Sequence, residues 1–307
     1  VSGFSNIGMV YSTPDELGGA MSKTASGWIN GLIGVVIFAG SLPATKLAVM
    51  DFDPIFLTCA RASIAALLGL ALVFAFRQRP PSRADMSSLA AVTIGVVIGF
   101  PLLTALALQY LTSAHSIVFL GLLPLCTAIF GVIRAGERPK PAFWLFSLIG
   151  SGFVVGYAAS NGIETSLKGD LLMLAAVLVC GLGYVEGARL SRHLGGWQVI
   201  SWALILALPL SLTIVLLTMP ASFAGVRLAG WIGLAYVSIF SMMIGFVFWY
   251  RGLAQGGIAA ISQLQLLQPF FGLSFAALLL HEPVDPAMLG VTVIAVMCVA
   301  GSRKFAT

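Results

Sequence analysis

The chain has 307 residues, 59% of them hydrophobic and only 9% charged, with a mean hydropathy of +1.02 and a formal net charge of +5. A soluble domain carries about 25% charged residues, so a water-solvated surface is excluded and the chain reads as an integral membrane protein. The excess positive charge sits at the ends of apolar runs, as topology signals do, which argues against nucleic acid as a partner.

Residues 1–27 are polar and rich in Gly and Ser. They lack the basic end and apolar core of a secretory signal and read as a loose cytoplasmic N-terminal arm or a short amphipathic lead, with Met21 as an alternative natural start. Ten apolar runs follow, near 28–50, 54–76, 86–109, 114–134, 141–160, 169–190, 197–218, 229–250, 256–280 and 285–303. A spanning helix needs roughly 20 residues, so the expectation is an all-α membrane protein of ten transmembrane helices with short links. Numbering the ends alternately puts Lys23, Arg77, Arg79, Arg83, Arg134, Arg138, Lys140, Arg189, Arg192, Arg251, Arg303 and Lys304 on one side, and only Lys168 and Arg227 on the other. By the positive-inside rule both termini are cytoplasmic.

The run from Gly256 to Pro283 has an echo earlier in the chain. Moving residues 108–137 forward by 145 superposes Leu108 on Leu253, Ala114 on Ala259, Leu122 on Leu267, Pro124 on Pro269, Phe130 on Phe275 and Glu137 on Glu282. A mid-run proline followed by a glutamate in the same register indicates an internal duplication. The expected halves are 28–160 and 161–307, the second including a short cytoplasmic tail. Five runs per copy is odd, so the second copy enters the membrane from the opposite side. This inverted repeat is the architecture of many secondary transporters, with the substrate site near the midplane at the repeat interface.

The chemistry-bearing residues are few. No GxSxG, HExxH or P-loop pattern occurs, so no catalytic residue, cofactor or ATP drive is expected, and the chain reads as a transporter rather than an enzyme. Cys59, Cys126, Cys180 and Cys298 lie singly in apolar runs and read as packing residues, neither disulfide nor metal ligands. Lys46 either snorkels to the interface or lines a vestibule; Arg61, deeper, faces protein or water, with a functional or helix-pairing role set against snorkelling. Glu186 is expected to pair with Arg189 at a helix end, and Glu137 and Glu282 to form structural corners. With no acid near the midplane, transport is expected to be facilitated diffusion.

Substrate binding is assigned to neutral polar and aromatic residues: Ser41, Thr104, His115, Phe119, Tyr184, Ser241, Gln263, Gln265 and Gln268. Gln265 and Gln268 are three apart and share a helix face. A Gln amide both donates and accepts; interhelical bonding is the alternative use of the same groups. Pro43, Pro101, Pro124 and Pro269 interrupt four runs and are the expected gating hinges. Trp28, Trp144, Trp197, Trp231, Trp249 and Tyr250 lie near run ends and read as an interfacial belt. Gly95/Gly99, Gly152/Gly156, Gly183/Gly187 and Gly252/Gly256 predict close helix approaches.

Ala114, Pro124 and Glu137 in one copy, Ala259, Pro269 and Glu282 in the other, and Arg61 give the chain a pattern that resembles the drug/metabolite transporter superfamily, EamA type, over about residues 28–304. Within it the chain looks most like the bacterial aromatic amino-acid exporters of the YddG type. The resemblance implies a central cavity, lined by runs 1, 3, 4, 6, 8 and 9, through which a small-molecule metabolite crosses the inner membrane. Neutral or aromatic amino acids are the leading cargo; nucleosides, nucleotide sugars or drugs are the alternative within the same fold. A lipid scramblase or membrane-embedded enzyme is the alternative from another class. Whether the protein is a monomer or a homodimer is open at this stage.

Overall fold

The structure is a computed structural model and describes residues 14–107, 110–111, 119–160, 166–280 and 286–306. Helix is present in each of the ten apolar runs, and no strand occurs among the described residues. In chain order the helices are α1 Pro14–Ala39, α2 Ser41–Val49, α3 Pro54–Ala75, α4 Met86–Val92, α5 Phe100–Ala107, α6 Leu123–Ala135 and α7 Pro141–Ser160. They continue as α8 Leu167–Ser191, α9 Gly196–Leu217, α10 Leu228–Ala235, α11 Gly245–Gly256, α12 Ile258–Ser262, α13 Gln268–Leu280 and α14 Pro286–Phe305. π-Helical segments join α4 to α5 (Thr93–Gly99) and α10 to α11 (Tyr236–Ile244), and a 3₁₀ segment joins α12 to α13 (Gln263–Leu267). The first helix starts at Pro14, so the stretch expected to be a loose arm is helical from that residue on.

Among the described residues six stretches are long and apolar enough to cross a membrane: Lys23–Val49, Pro54–Ala75, Arg83–Ala107, Leu167–Ser191, Gly196–Leu217 and Leu228–Gly256. Their outer faces are apolar as well. Phe74, Ile94, Leu217 and Leu228 are each more than 60% exposed, an arrangement suited to acyl chains and not to water.

Local chemistry sets the helix ends. Asp53 precedes α3, and its Oδ1 accepts the N–H groups of Ile55 at 2.9 Å and Phe56 at 3.1 Å, while Pro54 occupies the first turn, where no amide donor is missed. The four singled-out prolines each sit beside an irregularity. Pro43 follows the break at Gly40, Pro101 the first π segment and Pro269 the 3₁₀ segment. A proline ring collides with the carbonyl four residues back, and local π or 3₁₀ winding relieves it. Pro124 departs from expectation: it lies in the first turn of α6, after a turn at 121–122, and so opens a helix instead of interrupting one. Pro209, not singled out from the sequence, lies inside α9.

Glycines fix the closest helix contacts. The first helix packs along α11. A Cβ on Gly27 would stand 2.5 Å from the Gly256 nitrogen, and one on Gly252 would stand 2.6 Å from the Gly31 nitrogen. Two small-xxx-small faces therefore meet backbone to backbone; Gly27 and Gly31 were the unread half of the pair. Likewise a Cβ on Gly95 would stand 2.3 Å from the Val179 carbonyl and 3.3 Å from the Gly183 Cα. A Cβ on Gly152 or Gly156 would meet nothing within 4 Å among the described residues, so that spacing marks no close approach between described helices.

The main core runs through the bundle interior and contains Trp249 and Tyr250, both at 0% exposure. The expectation that these two belong to an interfacial belt is corrected: α11 turns that face inward, where both rings contact Tyr184 or Phe246.

Candidate functional site

A cavity of ≈ 280 Å³ lies between the two halves of the chain, near the lower end of the volumes of small-molecule sites. The second helix supplies Ser41, Thr45 and Val49, each four residues from the last, and α3 supplies Pro54, Leu57, Thr58 and Arg61. These spacings put each set on one helix face. Opposite them stand Val96, Phe100, Pro101, Thr104 and Ala105, then Leu120 and Leu123, Tyr184 from α8, Ser241 and Phe246, and Gln268 at the start of α13. From Val49 to Phe38, along α2 and the last turn of α1, the wall covers about 16 Å at 1.5 Å per residue.

Polar groups come from both halves, and three of them meet at one corner. The Ser41 hydroxyl donates to Ser241 Oγ at 2.7 Å, and Arg61 Nη2 lies 3.5 Å from the same oxygen. Arg61 Nε and Thr104 Oγ1 are enclosed and have no protein hydrogen-bond partner. The cavity wall holds no carboxylate among the described residues, and Arg61 is its sole charged member among them. The binding residues expected from the sequence were neutral or aromatic; the wall adds one half-buried guanidinium to them.

Below, the cavity ends on aromatic rings. Phe38 and Phe246 have centroids 4.8 Å apart, and Tyr184 and Trp249 5.4 Å apart. Beneath this floor lies Glu186, 1% exposed. Its carboxylate accepts from Arg134 Nε at 2.6 Å, Arg189 Nη1 at 2.8 Å and Ser88 Oγ at 2.7 Å. The pair with Arg189 matches the sequence expectation; the burial and the other two partners do not. Their arrival follows from the packing of α8 against both α4 and α6. Glu137 is a structural corner: its two oxygens accept the N–H groups of Ile258 and Ala259, each at 2.7 Å, and Arg192 stands 3.7 Å away.

Of the substrate residues read from the sequence, Ser41, Thr104, Tyr184, Ser241 and Gln268 line the cavity. Gln263 and Gln265 do not; both are buried behind it. Gln265 Nε2 is 3.4 Å from the Tyr184 hydroxyl, so it touches the floor from behind, and both polar atoms of Gln263 lack a protein partner. The shared face expected for Gln265 and Gln268 does not bring both to the cavity: Gln268 is on its wall, and Gln265 is buried against Tyr184. Phe119 is half-buried against the core, beside the lining residue Leu120. His115 lies outside the described residues, as do Gln109, Glu282 and the side chain of Lys46. Among the hinge prolines, Pro101 is on the cavity wall, and Pro43, Pro124 and Pro269 are off it. Arg61, expected to face protein or water with a functional or helix-pairing role but not counted among the substrate residues, is on the cavity wall. Cys59, Cys126, Cys180 and Cys298 are free, and no group of three potential metal ligands forms among the described residues.

Comparison with known proteins agrees with this layout. The EamA-like transporter family matches the chain twice, at residues 25–157 and 167–302. An uncharacterized transporter of Bacillus subtilis, YdeK, is 62% identical over 286 residues, covering 93% of this chain and all of YdeK. A second Bacillus subtilis transporter, YyaM, is 23% identical over 75% of this chain and 79% of its own length. One crystal structure superposes with a TM-score of 0.77 over 92% of this chain and 98% of its own, at 19% identity, a likeness of fold alone. With both halves matched and a relative at this identity along its whole length, the chain belongs to the EamA-like transporter family and is a multi-pass membrane protein.

Proposed function

We propose that the protein exports small metabolites, neutral or aromatic amino acids foremost, across a bacterial-type inner membrane by alternating access. The observation that carries this reading is the one-sided cavity between the two family-matched halves. Both halves contribute polar groups to it, aromatic rings line it, and the Glu186 ion pairs lie further along α8 from its lining residue Tyr184. A passage that is wet on one side and closed on the other is one station of an alternating cycle.

Ten crossings in two inverted five-helix repeats is the layout we assign. Exchanging each apolar run with the one five places later maps the main packing partners onto themselves. The contact of α1 with α11 becomes that of α8 with α5 and its π segment, while α3 with α9, α7 with α14, and α6 with α12 map to themselves. On the positive-inside reading the termini and the Glu186 seal are cytoplasmic and the cavity reaches the opposite face. The cavity wall offers no carboxylate among the described residues to exchange a proton with, so transport is facilitated diffusion.

The test is tracer flux in proteoliposomes containing the purified protein, with phenylalanine, leucine, a nucleoside and a labelled lipid supplied in parallel. Amino-acid flux that needs no pH gradient is the expected result. Flux of the nucleoside or lipid alone overturns the cargo, and strict dependence on a pH gradient overturns the uncoupled mechanism.

A further inference from the structure

We infer that the cavity is a carboxylate receptor, with Arg61 as the residue that selects its cargo; this deepens the reading above and rests on the same cavity. An arginine is charged at any physiological pH. A charge partly withdrawn from water without a counter-ion is costly, and Arg61 is half-buried in the cavity wall. Among the described residues Arg61 forms no salt bridge and its Nε has no hydrogen-bond partner; its Nη2 lies 3.5 Å from Ser241 Oγ. Its guanidinium is therefore held in the wall with donor capacity unspent.

The neighbours decide which anion fits. Ser41 and Ser241, 2.7 Å apart, present two hydroxyls beside the guanidinium. A planar fork with adjacent hydroxyl donors matches the two oxygens of a carboxylate. A phosphate dianion would call for a second cation, and the wall has none among its described residues. Beyond this corner the wall mixes the neutral polar groups of Thr45, Thr58, Thr104, Tyr184 and Gln268 with apolar side chains, among them Phe38, Phe100 and Phe246, available to an aromatic or aliphatic body. The same wall offers an ammonium group only neutral acceptors. The cargo is thus recognised by its carboxylate, and an acid lacking the amine binds comparably to the amino acid.

The experiment is ligand-induced thermal stabilisation of the purified protein with four probes of one shape: phenylalanine, 3-phenylpropionate, phenylalanine amide and phenethylamine. Charge-assisted hydrogen bonds of the expected strength correspond to roughly 10–100-fold in affinity. The two carboxylates should bind that much more tightly than the amide and the amine. In Arg61→Gln the preference should vanish, and Arg61→Lys should keep part of it. Equal binding of the amine overturns the inference, as does an unchanged preference in Arg61→Gln, or no binding by either acid. Equal competition by chloride or inorganic phosphate reduces the site to a general anion site and overturns carboxylate selection. If the Arg61 variants fail to fold, the wild-type ranking of the four probes still decides. Binding of 3-phenylpropionate without phenylalanine would sink the amino-acid cargo while leaving the receptor intact; amino-acid flux that ignores Arg61→Gln would do the reverse.

Discussion

The carboxylate of Glu137 accepts the backbone N–H of Ile258 at 2.7 Å, tying the end of α6 to the start of α12 across the boundary between the two halves. Its second oxygen takes the Ala259 N–H. These are amides at a helix start that have no intrahelical acceptor, in a chain with little water to satisfy them. Loss of such a cap costs about 0.5–2 kcal/mol. Glu137→Ala should lower the unfolding midpoint in detergent, and Glu137→Gln, which keeps one acceptor, should lower it less. Equal stability of all three proteins would remove the cap from the account.

Ser41 and Ser241 touch each other across the cavity at 2.7 Å. One neutral hydrogen bond is worth about 0.5–1.5 kcal/mol, or roughly 2–10-fold in affinity. Ser41→Ala and Ser241→Ala should each weaken cargo binding by that factor in a titration, with little change in unfolding midpoint. A large stability loss without a binding change would mean the pair is only a helix-to-helix tie.

Glu186 is buried and serves three donors from three helices. Its arginine partners are substantially exposed, at 50% and 38%, so water screens part of their attraction. The burial of the acid still makes its removal costly, because Ser88 and Arg134 lose their acceptor. Glu186→Gln should destabilise by about 1–3 kcal/mol. It should also raise hydrogen exchange at the Arg134 end of α6, which hydrogen-exchange mass spectrometry would read. Unaltered exchange there would show that the network does not hold that end closed.

Two glycine pairs with the same sequence spacing should behave oppositely. A Cβ at Gly252 meets the Gly31 backbone at 2.6 Å, whereas one at Gly152 or Gly156 meets nothing within 4 Å. Gly252→Ala must push α1 and α11 apart and should reduce the yield of folded protein by size-exclusion chromatography. Gly152→Ala and Gly156→Ala should leave it unchanged or, because Ala favours helix, raise the stability by up to about 1 kcal/mol each, read as a higher unfolding midpoint.

Much of the architecture was legible in the residues. Long apolar runs dictate helices because a lipid-embedded backbone must satisfy its own polar groups. Pro43, Pro101 and Pro269 fall beside breaks or altered winding because the ring excludes the regular bond in any surroundings. Asp53 caps α3 and Glu137 turns a corner because both act on backbone a few residues or one tight link away.

What the order of residues left open was which way each side chain points. A helix that is apolar all round has no polar stripe to reveal its inner face, and lipid solvates leucine as well as a protein core does. So Trp249 and Tyr250, at a helix end by position, are core by packing, and Gln265 stands behind Tyr184 although its spacing from Gln268 suggested a shared face. Arg61 carries the same lesson from the other side. Its charge demanded protein or water, but only the rotation of α3 against α2 and the second π segment brought it beside Ser41 and Ser241, since facing is decided by contacts distant in sequence.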